Sequence, residues 1–297
     1  MAAPLSAAAL LAALLAEGVT VTEVGRWRTH NRNTVGAWGP VNGSVVHHSV
    51  TRGTASTVAT CRDGYVGLPG PLCHGVIAKS GRVYLVGYGR TNHAGGGDPR
   101  VLDQVVAEDY GTRPTPPTRG NKDGVDGNAR FYGWECENLG DGKDPWPAAQ
   151  YDAIVRVQAA LCRAHGWSAK SVIGHLEWSS DKIDPRGFAM ADLRADVAER
   201  LTHPASWSPG SSTTTTPSTT PSEEDPMAGM TREQIYDAVW RTDRMTPPEG
   251  RATKDNPTWA AESVLRDAAS YATRAEAAAT RIEKALAEFT KLITKES

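Results

Sequence analysis

Cysteine is scarce in this 297-residue sequence, which contains four cysteines and no CxxC pair. So few cysteines exclude a disulfide framework for a chain of this length, and a reducing compartment is the expected environment. Cys61 and Cys73 flank a stretch rich in Gly and Pro, CRDGYVGLPGPLC. Whether these two thiols pair stays open, because the sequence does not show the distance between them.

A charge excess of either sign is also missing. The 32 lysines and arginines nearly balance the 34 aspartates and glutamates, and the formal net charge is -2. A nucleic-acid-binding protein neutralises phosphates with a broad basic surface, so we expect no nucleic-acid partner. The composition is compatible with a carbohydrate or peptide substrate.

Long hydrophobic runs are absent as well. The apolar segment at residues 4–16 is shorter than the roughly 20 residues that cross a bilayer. A secretory signal has lysine or arginine before its apolar stretch, whereas none precedes this segment and Glu17 follows it at once. Leucine and alanine favour helix, and Gly18 stands where a C-terminal cap belongs. The segment predicts a helix packed on the domain, with a signal segment as the alternative.

A stretch rich in Ser, Thr and Pro, WSPGSSTTTTPSTTPSEEDP, divides the chain. Such a composition cannot bury enough apolar surface to offset the entropy cost of ordering, so it predicts a flexible linker. We place a large domain over residues 1–204, the linker over 205–226 and a small all-α module over 227–297.

Strands and helices alternate in the large domain, which predicts an α/β fold with helices covering a sheet. β-Branched and aromatic runs predict strands, and Ser80-Gly81 forms the turn of a hairpin. Apolar residues at helical spacing predict a helix that Gly166 ends. The predicted elements are strands at 44–50, 131–137 and 172–173, a hairpin at 75–86, and helices at 148–165 and 189–201.

The C-terminal module contains a short predicted helix at 230–241 and, after Pro257, a long one with a heptad pattern. The heptad face packs either on the short helix or on a second copy of the chain. After residue 226, 11 basic side chains balance 11 acidic ones, which does not favour a membrane-surface helix. Met227 and Met230 follow the linker directly, and an internal translation start there is a further hypothesis.

Three segments place metal-binding side chains at a strand or loop end: VVHHSV with His47 and His48, VIGHLEW with His175, and DKIDPRG with Asp184. A catalytic zinc needs three protein ligands and one open position, and two histidines with a carboxylate supply such a set. The short separation of His175 and Asp184 suits a loop that folds back over an ion. Lys182 lies two residues before Asp184, so in an extended stretch both side chains point to one side.

These residues resemble the type 2 zinc-dependent N-acetylmuramoyl-L-alanine amidases. That family shares its fold with peptidoglycan recognition proteins and amidase-type phage lysozymes. The resemblance covers about Val24 to Leu201 and is carried by VVHHS, CHGVIAKSGRVYLV, TNHAGG, FYGWECENLG and GHLEWSSDKIDPRG. It implies a mixed central β-sheet and one Zn²⁺ held by His47, His175 and Asp184.

The resemblance also implies Glu135 as the acid/base group and Lys182 as the side chain that stabilises the oxyanion. Glu135 and Glu137 point the same way from one predicted strand, and the match to GWECE favours Glu135. A carboxylate that moves a proton must reach the attacking water. Glu137 is then predicted to be a solvated carboxylate on an edge strand.

His47 and His48 face opposite sides of their strand, so the pattern distinguishes them. His48 shares its face with Val46 and Val50, which is typical of a core face. Both this pattern and the family alignment favour His47 as the ligand. We expect His48 to be a hydrogen-bonded histidine of the core or of the surroundings of the metal.

His93 in TNHAGG occupies a position where the family often has a histidine that lines the substrate groove. We therefore predict substrate contacts for His93 and Asn92, with a structural loop histidine as the alternative for His93. Some relatives place a tyrosine near the zinc, where this chain has Cys73 before His74. That departure argues against a tyrosine-assisted mechanism.

The resemblance implies a peptidoglycan hydrolase that cleaves the amide bond between N-acetylmuramic acid and the L-alanine of the stem peptide. The linker and the added module suit an endolysin of an actinobacterial phage, since a second wall contact raises effective concentration. Such an enzyme stays in the host cytoplasm until a separate holin-like pore releases it. The alternatives are a host amidase of wall remodelling or recycling, and a non-catalytic peptidoglycan-binding protein.

Overall fold

The computed structural model describes residues 2–208. This part contains nearly all of the predicted large domain. The predicted linker beyond residue 208 and the C-terminal module, including its heptad helix, lie outside the described residues.

The described residues contain ten strands. They are β1 (Val21–Glu23), β2 (Gly43–His48), β3 (Gly64–Tyr65), β4 (Leu68–Pro69), β5 (Gly75–Ile77), β6 (Val83–Leu85), β7 (Gly96–Gly97), β8 (Val125–Asp126), β9 (Phe131–Cys136) and β10 (Val172–Gly174). Six of these strands form the main sheet, in the order β1-β6-β5-β9-β2-β10. The β5–β6 pair is antiparallel and the other neighbours are parallel, which confirms a mixed central sheet.

Helices cover both faces of this sheet, as the alternating pattern predicts. They are α1 (Ala7–Ala16), α2 (Thr54–Asp63), α3 (Pro99–Ala107), α4 (Ala148–His165), α5 (His175–Trp178) and α6 (Met190–Leu201). Successive residues of β2 pack into hydrophobic clusters on opposite faces of the sheet. Val46 packs with α1, α4 and α6, whereas Val45 packs with α3 and α5. Strands buried on both faces are typical of parallel sheets, and β2 is buried along its whole length.

The longest described helix has the bounds that the sequence predicts. α4 runs from Ala148 to His165, and Gly166 ends it in the left-handed conformation with φ of 69°. Glycine adopts this conformation without the steric cost that a Cβ atom brings. The prediction for β2 was less accurate, because the strand ends at His48 and not at residue 50. Val50 has a φ of 52°, which turns the chain away from the sheet.

The apolar N-terminal segment forms α1, which packs on the domain as predicted. Leu10 and Leu14 are fully buried against the core of α4 and α6. Glu17, at the end of α1, is 1% exposed and pairs with Arg163 at 2.6 Å and Arg200 at 2.7 Å. Within residues 2–208, no helix has the length and apolar character needed to span a membrane.

Leu14 and Leu15 of α1 allow a matched test of this packing. Leu14 is fully buried whereas Leu15 is 54% exposed. We expect Leu14→Ala to lower the free energy of unfolding by about 2–5 kcal/mol, because it leaves a cavity in the core. Leu15→Ala makes the same change in helix propensity and is expected to cost much less. Urea denaturation measures both, and equal losses would contradict the described packing of α1.

Candidate metal centre

The predicted site residues converge at the carboxyl ends of three adjacent parallel strands. His47 lies near the end of β2 and Glu135 near the end of β9, and the two are direct partners in the strand register. His175 follows β10 immediately, as the first residue of α5. Carboxyl ends of parallel strands meet at one edge of a sheet, where ligands bind in open α/β folds.

Three ligand atoms from His47, His175 and Asp184 come together at this edge. The two Nδ1 atoms of His47 and His175 are 3.0 Å apart. Asp184 Oδ2 lies 2.9 Å from Nδ1 of His47 and 3.1 Å from Nδ1 of His175. All three side chains are buried, and their arrangement can hold a metal ion.

The outer ring nitrogens of His47 and His175 show which tautomers are present. His175 Nε2 lies 3.1 Å from the carbonyl oxygen of Ala94, so it carries a proton and donates it. His93 Nε2 faces the carbonyl of Phe131 at 3.3 Å, so His93 Nδ1 accepts the proton of His47 Nε2 at 3.1 Å. Both Nδ1 atoms therefore direct lone pairs at the carboxylate of Asp184. Such a cluster of acceptors fits a cation, and imidazole with carboxylate is a set that zinc uses.

Burial keeps His47 neutral, which agrees with this tautomer assignment. Loss of water around the ring, followed by the nearby His175, lowers the pKa of His47 to about 4. The carboxylate of Asp184 opposes this shift but does not outweigh it. At neutral pH the Nδ1 lone pair of His47 is thus available to a metal.

A buried ion pair positions His175. Glu177 of α5 pairs with Arg194 of α6 through both carboxylate oxygens, at 2.7 and 2.9 Å, and also accepts from the backbone N–H of Gly174. The loop after α5 closes where the backbone N–H of Leu176 donates to the carbonyl of Asp184 at 2.7 Å. These contacts bring the two ends of GHLEWSSDKID together, as the spacing predicts.

Glu135 stands beside the three ligands with one oxygen unpaired. Its side chain is half-buried, and Oε2 is buried without a hydrogen-bond partner among the described residues. Burial, followed by the charge of Asp184, raises the pKa of Glu135 to about 8, while the ammonium of Lys182 partly opposes the shift. An unpaired carboxyl group with a pKa near neutrality can exchange protons with a bound molecule.

These side chains line a cavity of about 310 Å³ that also includes Asn92, His93 and Lys182. The structure therefore brings together all seven predicted site residues. A larger cavity of about 730 Å³ lies beside α1 and α4, and the described residues that line it include no histidine. The larger cavity is thus not the one that contains the candidate metal ligands.

The neighbouring residues His48 and Glu137 have structural contacts. His48 is hydrogen bonded, as expected, and its Nδ1 accepts from the backbone N–H of Arg186 at 3.1 Å. The prediction of a solvated edge-strand carboxylate at Glu137 is wrong. β9 is an interior strand, and Glu137 is 5% exposed and accepts from Gly53 N at 3.0 Å and Thr54 Oγ1 at 2.7 Å. It caps the start of α2, a long-range contact that strand periodicity does not reveal.

Cys61 and Cys73 are free, buried thiols. Their side chains are in hydrogen-bonding contact, and burial raises the pKa of Cys73 well above its usual value. A buried thiol with a raised pKa is a poor metal ligand, because the thiolate is the form that binds. Cys73 is not part of the group that can hold a metal.

The N-acetylmuramoyl-L-alanine amidase family profile Amidase_2 matches residues 37–187, slightly more than half of the chain. The chain belongs to this family. The matched range contains every residue of the candidate metal centre. No curated protein matches the chain at a significant level.

Several solved structures of amidases are similar to this chain. The N-acetylmuramoyl-L-alanine amidase LysC from Clostridium intestinale is 18% identical, with 60% of this chain and 97% of that chain covered and a TM-score of 0.39. AmiD from E. coli, solved with anhydro-N-acetylmuramic acid-L-Ala-D-γ-Glu-L-Lys, is 17% identical. Its match covers 54% of this chain and 58% of that chain, with a TM-score of 0.39.

The raised pKa of Glu135 predicts a pH-dependent stability of the metal-free protein. Because the folded state holds this proton up to about pH 8, its stabilising contribution is present below the ordinary pKa of 4.5 and is lost as pH rises through 8. Between pH 6.5 and 8, the unfolding equilibrium constant of the chelator-treated chain should rise by up to about tenfold per pH unit. Urea denaturation at several pH values measures this slope.

The substitution Glu135→Gln should flatten that slope, because the amide does not titrate. Glu199→Gln is the control, since the Glu199 side chain is 66% exposed. Equal slopes for the wild type and Glu135→Gln would show that the Glu135 carboxyl is not desolvated as described.

Proposed function

We propose that this chain is a zinc-dependent hydrolase that cleaves the amide bond between N-acetylmuramic acid and the L-alanine of the peptidoglycan stem peptide. The family supports the amidase activity. The observation that supports zinc dependence is the cluster of three ligand atoms from His47, His175 and Asp184, which can hold a metal ion. A bound zinc ion supplies Lewis acidity that lowers the pKa of water and stabilises negative charge on a carbonyl oxygen.

Glu135 is the proposed acid/base group. Its unpaired oxygen can accept the proton of the attacking water and later deliver that proton to the departing amine of L-alanine. A divalent cation beside it would lower its pKa from the metal-free value of about 8, because an opposite charge favours the carboxylate. Lys182 lines the same cavity, and its ammonium is the proposed stabiliser of the oxyanion that forms at the lactyl carbonyl.

The proposed biological role is that of a phage endolysin. The Ser/Thr/Pro-rich stretch and the appended segment support this role, because a tethered second contact raises the local concentration of an enzyme on an insoluble wall. In this proposal the enzyme waits in the host cytoplasm, and a separate holin-like pore releases it to the wall. The C-terminal segment then binds the wall or joins copies of the chain.

Two other functions make different demands on the site. A non-catalytic peptidoglycan-binding protein needs no complete ligand set, whereas all three ligand positions are filled and converge here. A host recycling amidase acts on small soluble fragments and gains little from a second wall contact. We therefore favour the endolysin.

Substitutions should separate metal binding from turnover. We expect His175→Ala and Asp184→Ala to lose both bound zinc and clearing of peptidoglycan suspensions. Glu135→Ala should keep its zinc and lose about 10²–10⁴-fold in turnover, because only the proton transfer is removed. Metal analysis and turbidity assays measure the two properties. Glu137→Gln is the matched control on the same strand end and should keep its turnover per bound zinc.

Near-normal turnover of Glu135→Ala would contradict the acid/base assignment. Loss of turnover in Glu137→Gln as well would show that the effect is not specific to Glu135.

Mass spectrometry of digested peptidoglycan should identify the bond that is cut. We expect free stem peptides with an exposed L-alanine amine and no new reducing sugars. New reducing sugars would refute the amidase reaction. Comparison of insoluble walls with soluble fragments tests the role, since release from soluble fragments alone would favour a recycling enzyme.

A further inference from the structure

One short turn, residues 93–95, contacts the outer nitrogens of both predicted histidine ligands. The side chain of His93 accepts the Nε2–H of His47 at 3.1 Å. The backbone carbonyl of the next residue, Ala94, accepts the Nε2–H of His175 at 3.1 Å. Any movement of this turn therefore affects both rings together.

The side-chain oxygen of Asn128 holds this turn in place. Asn128 Oδ1 accepts from the backbone N–H groups of His93 and Ala94, both at 2.8 Å, and from that of Gly95 at 3.4 Å. Asn128 is 7% exposed and lies just before β9, the strand that carries Glu135. An amide oxygen with three backbone donors in a buried turn leaves little freedom for that turn.

The ring of His93 is also fixed from its other side. Its Nε2–H donates to the carbonyl of Phe131 in β9 at 3.3 Å. The ring packs so closely on Gly133 that a Cβ atom there would lie 2.3 Å from it. His93 thus has one orientation and presents Nδ1, an acceptor, to His47.

We infer that Asn128 is a positioning residue for the metal centre, acting through His93 and Ala94. It sets the position of two acceptors that orient the rings of His47 and His175 and keep their Nδ1 lone pairs directed at the metal. Hydrogen bonds behind a histidine ligand fix its tautomer and raise its basicity, and their loss costs about 10–100-fold in metal affinity. The inference rests on the proposed metal-dependent function, and it gives His93 a role different from the predicted substrate contact.

The test is the affinity of the purified full-length chain for Zn²⁺, measured by competition with a chromophoric chelator. We expect Asn128→Ala and His93→Phe to bind zinc about 10–100-fold more weakly than the wild type. The phenyl ring of His93→Phe keeps the packing on Gly133 but accepts no hydrogen bond from His47. His93→Asn restores an acceptor near the position of Nδ1 and should recover most of the affinity.

Asn42→Ala is the matched control for Asn128→Ala. Asn42 is also a buried asparagine, 3% exposed, and it donates to the carbonyls of Pro40 and Arg130 at the opposite end of β2. Its loss should lower stability without a change in zinc affinity. The visible spectrum of the Co²⁺-substituted protein gives a second readout, which Asn128→Ala should change and Asn42→Ala should not.

The possible results separate this inference from the proposed function. A wild-type chain that binds no zinc would refute the proposed function itself. A wild-type chain that binds zinc, with a folded Asn128→Ala or with His93→Phe binding it equally tightly, would overturn the inference. A raised KM for peptidoglycan in His93→Phe at unchanged zinc affinity would instead assign His93 to substrate binding. If Asn128→Ala does not fold, His93→Phe and His93→Asn still test the inference. Weaker zinc binding by His93→Phe that His93→Asn restores would support it, and equal binding by both would overturn it.

Discussion

This site depends on the close approach of three ligand atoms, and the tautomers that the outer hydrogen bonds favour leave no proton between them. Nδ1 of His47, Nδ1 of His175 and Oδ2 of Asp184 lie within 3.1 Å of one another. Lone pairs at that separation repel unless a cation lies among them. The fold must therefore hold the three side chains rigidly. Hydrogen bonds and a buried ion pair around the site do this.

Several separate elements of the fold hold His47 and His175 in place. β2, an interior strand between β9 and β10, places His47 at the site, and the Glu177–Arg194 ion pair fixes the short helix that starts with His175. A buried ion pair with both carboxylate oxygens engaged is costly to break, because one partner alone would leave a buried charge. As a result, the Nδ1 atoms of both histidines point inward while their Nε2 atoms are hydrogen-bonded on the outer side. The unpaired Oε2 of Glu135 is an exception, and it is the atom that the proposed mechanism uses.

Local sequence patterns predicted the elements with strong periodicity or clear end signals. α4 has its predicted bounds, because a long run of apolar residues at helical spacing ends at a glycine. The hairpin of β5 and β6 was predicted from its β-branched residues and its Ser-Gly turn. The helix α5 was not predicted, since four residues are too short for periodicity, and tertiary contacts from Arg194 hold it. The prediction for Glu137 is wrong because the interior position of β9 depends on strand pairing, which a local pattern does not show.

The sequence by itself determined which chemical groups are present and roughly where the elements begin and end. Residue types, spacing and hydrophobic period are local properties, so they indicated the α/β class and the candidate metal ligands, whereas the family resemblance implied the roles of Glu135 and His93. Only the tertiary structure decided that β2, β9 and β10 lie side by side and which nitrogen of each histidine faces inward. These features depend on contacts between residues far apart in the chain, such as Asn128 with the turn at 93–95, and no local pattern encodes such contacts.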